Sequence, residues 1–190
     1  MPQQRFGREA VLDAALEIVR ERGHDVLSAR SVAERAGCSV QPIYSLFGDM
    51  DGLMRALYEH ARAWVTAYHA EHANDGENLF ESNGLSHLKL AREESPLFSF
   101  LYLSPYMDMH SLEDLYINVS QPGVEECIVQ LGHLSPEAAH ELYLNMILFT
   151  HGLAVLLAAG ADIPDEELAD RIFVAFSAFA IAVGGHPKQR

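Results

Sequence analysis

The chain has 190 residues, 49% of them hydrophobic and 21% charged, with a formal net charge of −14. That balance excludes a disordered polyelectrolyte and suits either one sizeable core or a small domain joined to a larger one. Residues 1–55 hold seven Arg against eight acids and residues 56–190 six basic against nineteen acidic side chains, dividing the charge as −1 and −13, so the acidity sits in the larger, carboxyl-terminal part.

All the basic residues of the first segment are Arg, the side chain best suited to phosphate, so the charge permits nucleic-acid binding there without arguing for it. Residues 1–8 contain no apolar run of signal-peptide length and read as a short, mildly basic arm. Cys38 and Cys127 lack a metal-type spacing and read as reduced thiols of a cytoplasmic protein.

A first helix is expected from about Arg8 to Arg22, with Leu12, Leu16 and Val19 in helical spacing and Gly23 as its stop. Ser28 caps a second helix whose Val32, Ala33 and Ala36 share a face, and Gly37 follows where a left-handed residue is needed. Ser39 reads as the N-cap of a third, in whose first turn the missing N–H of Pro42 costs nothing. Ile43 and Phe47 lie four apart and face the second helix, while Gln41, Tyr44 and Ser45 point elsewhere. Residues 28–47 are therefore a helix-turn-helix with a polar, aromatic outer face, a shape that fits the major groove of DNA; a plain helical hairpin satisfies the same spacing.

After a break at Gly48-Asp49, a long helix is expected from about Met50 to Ala73, with Leu53, Leu57, Ala61, Trp64 and Tyr68 as its apolar stripe. Helices follow at about 78–94, 96–104, 111–119 and on to Leu131, the first weakened by Gly84. Ser135-Pro136 opens a long helix to Ala159, and Pro164-Asp165-Glu166-Glu167 opens the last, its acids where the helix dipole favours them. No strand-like alternation of useful length occurs, so the fold class is all-α. The charge-free runs 142–161 and 172–187 have nearly the length of membrane spans. Asn145, Thr150, His151 and Gly152 inside the first, and the shortness of the second, favour instead two helices buried on one face in the monomer and on the other in a dimer, with no membrane.

From Arg8 to Leu57 the chain resembles the DNA-binding region of TetR-type (TetR/AcrR) transcriptional regulators. The resemblance is carried in register by Ala14-Ala15-Leu16-Glu17, Gly23, Leu27-Ser28, Arg30, Val32-Ala33, Ala36-Gly37, Ser39-Val40, Ile43-Tyr44, Phe47, Asp51 and Leu53. Thr150-His151-Gly152-Leu153-Ala154 also resembles a stretch of the family's penultimate helix, where the last two helices of each subunit form a four-helix interface. The chain departs from the family at Gln41-Pro42, where a small residue is usual, and at Met50, where a phosphate-binding Lys is usual. The resemblance implies a helix-turn-helix DNA-binding domain over 1–57 and a helical regulatory domain over 58–190 that binds ligand and dimerises. It further implies a repressor that binds a palindromic double-stranded operator as a homodimer and answers to a small effector.

Arg30, Ser39, Gln41, Tyr44 and Ser45 are the expected DNA contacts: Tyr44 and Arg30 on phosphates, Gln41 and Ser45 on base edges. Phe98, Tyr102, Tyr106, Met109, Tyr116, Tyr143, Met146 and His151 are the expected lining of an apolar pocket with a few polar tips, suited to an apolar or amphipathic effector, although core packing explains the same residues. No nucleophile motif or phosphate loop is present, so neither enzymatic activity nor a cofactor is expected. His69 and His72 beside Glu71 raise a metal reading, and with it a His-dependent metalloenzyme, but their polar helix end makes exposed imidazoles the simpler expectation. The pairs Glu93-Glu94, Glu125-Glu126 and Glu166-Glu167 are expected in solvent. The absent Lys and the acidity leave one other alternative, a helical ligand-binding or interaction protein that has lost DNA binding.

Overall fold

The computed structural model describes residues 7–185, all of whose regular elements are helical. The basic arm expected before Arg8 lies outside the described residues. Ten α-helices follow one another: α1 Arg8–Arg22, α2 Ala29–Ala36, α3 Gln41–Phe47, α4 Met50–Glu71, α5 Leu79–Glu93, α6 Ser95–Tyr102, α7 Leu112–Val119, α8 Val124–Gly132, α9 Pro136–Ala158 and α10 Asp165–Ala182. A single 3-10 turn, His24–Val26, separates α1 from α2.

Two compact units result, one of residues up to Val65 together with Glu94–Met107, the other of Thr66–Glu93 together with Asp108 onward. In the first, α1 contributes an unbroken apolar face, Val11, Leu12, Ala14, Ala15, Leu16, Ile18 and Val19, which packs against α2 and α6. The first unit takes in α6 as well as the amino-terminal helices. The reason lies in α6 itself: Leu97, Phe98, Phe100 and Leu101 are all buried, too much apolar surface for an eight-residue helix to leave in water. Arg20 adds a two-pronged ion pair to Glu94 at 2.9 and 2.5 Å, with its guanidinium 4.4 Å over the Trp64 ring. Glu94 is accordingly not the solvated acid that its sequence neighbourhood suggests.

In the second unit α9 is the central helix, packed by α5, α8, α10 and α7. The buried stripe of α4 differs from the expected one, with Val65 and His69 inside where Trp64 and Tyr68 are half-buried. A strict repeat of 3.6 residues carries the stripe from Ala61 to Val65, and the flat rings of Trp64 and Tyr68 lie along its margin. His69 corrects a second expectation. It is buried and Nδ1 lies 2.7 Å from Ser86 Oγ, because α5 covers that end of the helix.

Candidate functional site

The helix-turn-helix is built by short-range chemistry. Ser28 and Ser31 satisfy one another's backbone N–H groups in a capping box at the start of α2, and Gly37 ends it at φ +70°. The expected cap of α3 is corrected: Val40, not Ser39, occupies the N-cap position, and its carbonyl accepts from Ile43 N at 3.1 Å. With Pro42 unable to donate and Val40 supplying no side-chain acceptor, α3 starts one residue later than a Ser39 cap would start it. Only Ile43 of α3 is buried.

Gln41, Tyr44 and Ser45 fall on one side of α3 by their spacing of three and four, and all three are exposed, Tyr44 to 48%. The Ser45 hydroxyl donates to the carbonyls of Gln41 and Pro42, both at 3.1 Å. Its only proton is thereby used within the helix, which leaves Ser45 Oγ as an acceptor towards anything outside. Ser39 is exposed in the turn and Arg30 at the start of α2. Neither the Arg30 guanidinium nor the Tyr44 hydroxyl has a hydrogen-bond partner among the described residues.

Other cations nearby are engaged. Arg35 pairs with Glu17 and Glu21 of α1, which raises its pKa further and holds the Glu21 carboxyl below the usual range. Arg55 pairs with Asp51, and Arg8 donates to the Leu46 carbonyl. Sequence reasoning also missed what joins α3 to α4. Asp49 caps α4 by accepting from Gly52 N at 2.8 Å, and a Cβ on Gly52 would lie 2.1 Å from the Phe47 carbonyl oxygen. A glycine inside a helix otherwise reads as a weakness, so nothing local announces that close approach.

The eight residues expected around an effector divide between the two units. Phe98, Tyr102 and Tyr106 belong to the first unit, where Phe98 packs on Tyr102 at 4.9 Å and Tyr106 on Phe100 at 5.9 Å. Burial raises the pKa of the Tyr102 hydroxyl. Met109, Tyr116, Tyr143, Met146 and His151 belong to the second, with Met109 exposed.

Within that unit Tyr143 is a polar hub. Its hydroxyl accepts from Asn83 Nδ2 and from the Gln121 backbone N–H, each at 3.1 Å, and its ring meets Tyr116 edge-on at 5.5 Å. Tyr116 donates to Glu125, whose carboxylate also lies 3.3 Å from His140 Nδ1, while His140 Nε2 faces Glu113 at 3.5 Å. Burial, and next the Glu125 carboxylate, push the Tyr116 pKa up. Glu125 is therefore an engaged, half-buried acid and not the solvated one expected.

In the same unit His151 Nδ1 lies 3.4 Å from His87 Nε2, and the His87 ring stacks on that of His69 at 6.3 Å. Ser86 gives its hydroxyl proton to the Asn83 carbonyl, so His69 Nδ1–H donates to Ser86 Oγ. His72 Nδ1–H likewise donates to the Tyr68 carbonyl and its Nε2 accepts from Lys89. His69 and His72 thus direct their Nδ1–H groups to separate protein acceptors. Desolvation lowers the pKa of His87 and of His151 and pushes that of His69 down to about 4, helped by neighbouring His72.

Residues 11–57 match the model of the family described as bacterial regulatory proteins, tetR family. The fold is similar to that of a transcriptional regulator from Rhodococcus sp. Rha1 (17% identity over 97% of this chain and 100% of that one, TM-score 0.67). It is also similar to a TetR family protein from Vibrio parahaemolyticus (19% identity, 90% and 97%, TM-score 0.63). A third similar structure is a TetR variant from Acinetobacter baumannii AYE in complex with minocycline (21% identity, 92% and 95%, TM-score 0.52). No curated protein matches the chain.

Proposed function

We propose that this chain, of the TetR type in its amino-terminal domain and in its fold, is a cytoplasmic, ligand-responsive repressor that binds a palindromic operator as a homodimer. The observation that carries the reading is the outer side of α3: Gln41, Tyr44 and Ser45 stand exposed on a helix whose other side is held by Ile43, within a matched DNA-binding domain. Arg30 and Tyr44 are suited to phosphates, Gln41 to a base edge or the backbone, and Ser45 to a base amino group that needs an acceptor. With Arg35 and Arg55 paired and Met50 in place of a Lys, few phosphates are neutralised, so the salt slope of binding is shallow.

Dimerisation is supported by α9 and α10, which carry Leu148, Leu156, Val174 and Ile181 exposed by 38–65%. Among the described residues helix α9 alone has the length and mean hydropathy, 1.5, to cross a membrane, but it is the central helix of the second unit, and a second copy is the partner that suits its apolar side. Tyr143, Tyr116 and His151 are proposed as the polar tips that orient an apolar or amphipathic effector, a class that includes the minocycline held by the Acinetobacter relative. An effector that releases DNA must prefer the DNA-incompetent arrangement, by about 1.4 kcal/mol for a tenfold loss of affinity.

The paired Arg residues favour one second reading, a helical ligand-binding protein without DNA affinity. Selection of genomic fragments with the purified protein separates the two: enrichment of one palindrome supports the repressor, and no enrichment at low salt supports the second reading.

A further inference from the structure

We propose that Arg8 is a positioning residue for the DNA-facing helix, acting from the first residue of α1 on the last turn of α3. The inference rests on the reading of α3 as the helix that meets DNA. Arg8 Nη1 donates to the Leu46 carbonyl at 3.2 Å, and the guanidinium carbon lies 4.6 Å from the centroid of the Phe47 ring. Those two contacts fall where α3 is otherwise lightly held. It has seven residues, a single buried side chain, no charged residue of its own and a glycine at φ +83° directly after it.

Arg8 also breaks a local rule. A cation at the first position of a helix is disfavoured by the dipole of that helix, and neighbouring Glu9 is the residue that suits the place. The same cation beside the final carbonyls of α3 is at the favourable end of a helix, where orphan acceptors need donors. Leu46 O is such an acceptor and Phe47 offers the face of its ring. A local conflict resolved by one long-range contact marks a side chain placed for its partner rather than for its own element. In the same turn the Phe47 carbonyl abuts Gly52, so the end of α3 is in contact with both α1 and α4, while its amino-terminal end has no side-chain cap. Arg8 thus sets the angle at which Gln41, Tyr44 and Ser45 are presented, without itself reading a base.

The test compares the full chain with Arg8→Gln and Arg8→Lys by amide hydrogen exchange of the free protein, and by affinity for a selected operator and a random duplex across a salt series. Exchange in Arg8→Gln is expected to rise severalfold over 44–48 and to stay unchanged in α9. Operator affinity falls by about tenfold, with random-duplex affinity and salt slope unchanged, and Arg8→Lys recovers part of the loss because the ammonium keeps the charge over Phe47. Unchanged exchange in α3 overturns the proposal. So does an equal loss on both duplexes with the salt slope reduced by about one, which makes Arg8 a phosphate contact. If the parent protein binds neither duplex, the DNA reading fails by itself, and the exchange comparison still decides whether Arg8 holds α3.

Discussion

The Tyr58 hydroxyl donates to the backbone carbonyl of Leu101 at 3.1 Å in the core of the first unit. The partner that the helix would normally supply four residues later is Pro105, which has no N–H, so a side chain from α4 takes over. Burial raises the pKa of that phenol, which keeps it a donor at neutral pH. Tyr58→Phe leaves the buried Leu101 oxygen unsatisfied and is expected to cost about 1–3 kcal/mol, lowering Tm by roughly 2–4 °C for each kcal/mol. A melting curve that matches the parent would show that water replaces the phenol.

Arg30→Ala is expected to weaken binding to operator and to random DNA alike, and to reduce the salt slope by about one phosphate's share. Because Arg30 is exposed and makes no ion pair among the described residues, the stability of the protein is expected to stay within about 0.5 kcal/mol. Gel shifts over a range of salt test it, and an unaltered slope removes Arg30 from the contacts.

Leu156→Glu and Ala178→Glu place a carboxylate on exposed positions of α9 and α10. In a monomer each substitution is nearly neutral. Across a two-fold interface each carboxylate must be desolvated against its own copy, so monomers or aggregates and loss of operator binding are expected with the DNA-binding domain untouched. Sedimentation showing intact dimers for both variants would place the interface elsewhere.

Stability is expected to fall as pH drops from about 6.5, because desolvation depresses the pKa values of His69, His87 and His151 in the folded chain. Above the unfolded value all three are neutral in both states and contribute no pH dependence. Below it the unfolded chain takes up protons that the folded one refuses, so unfolding gains ground, for His69 until the pH reaches its folded value of about 4. Each histidine that stays fully neutral costs about 1.4 kcal/mol per pH unit in that window. Denaturant melts between pH 7 and 5.5, above the range of ordinary carboxylates, are expected to show the decline, reduced in His87→Phe; a flat profile in the parent sinks the argument.

Tyr143→Phe removes the acceptor shared by Asn83 and the Gln121 N–H. It is expected to destabilise the second unit by about 1–2 kcal/mol and to shift the potency of any apolar inducer found by screening for operator release. His151→Leu is expected to shift potency as well. Inducer potency unmoved by both changes rules them out as the polar tips of the effector site.

Residue patterns alone carried most of the helix order. Gly23, Gly37, Ser28, Ser135 and Pro136 act on the backbone within a few residues of themselves, so the ends of α1, α2 and α9 were legible, as was the helix-turn-helix. The exposure of Gln41, Tyr44 and Ser45 was legible for the same reason, since one buried Ile43 orients a short helix. Where the signal is a partner distant in the chain, the pattern was silent or misleading. Glu94, Glu125 and His69 look like surface residues locally; Arg20, the Tyr116 hydroxyl and Ser86 make them otherwise. The apolar stretch 96–109 fits a pocket wall and a packed core alike, because hydrophobicity states that a face must be covered and not by what, and only tertiary packing sets α6 against α1. Local sterics and capping act through covalent neighbours and are therefore written in the sequence; the pairing of Arg20 with Glu94 and the hold of Arg8 on Leu46 come into being only when distant segments meet.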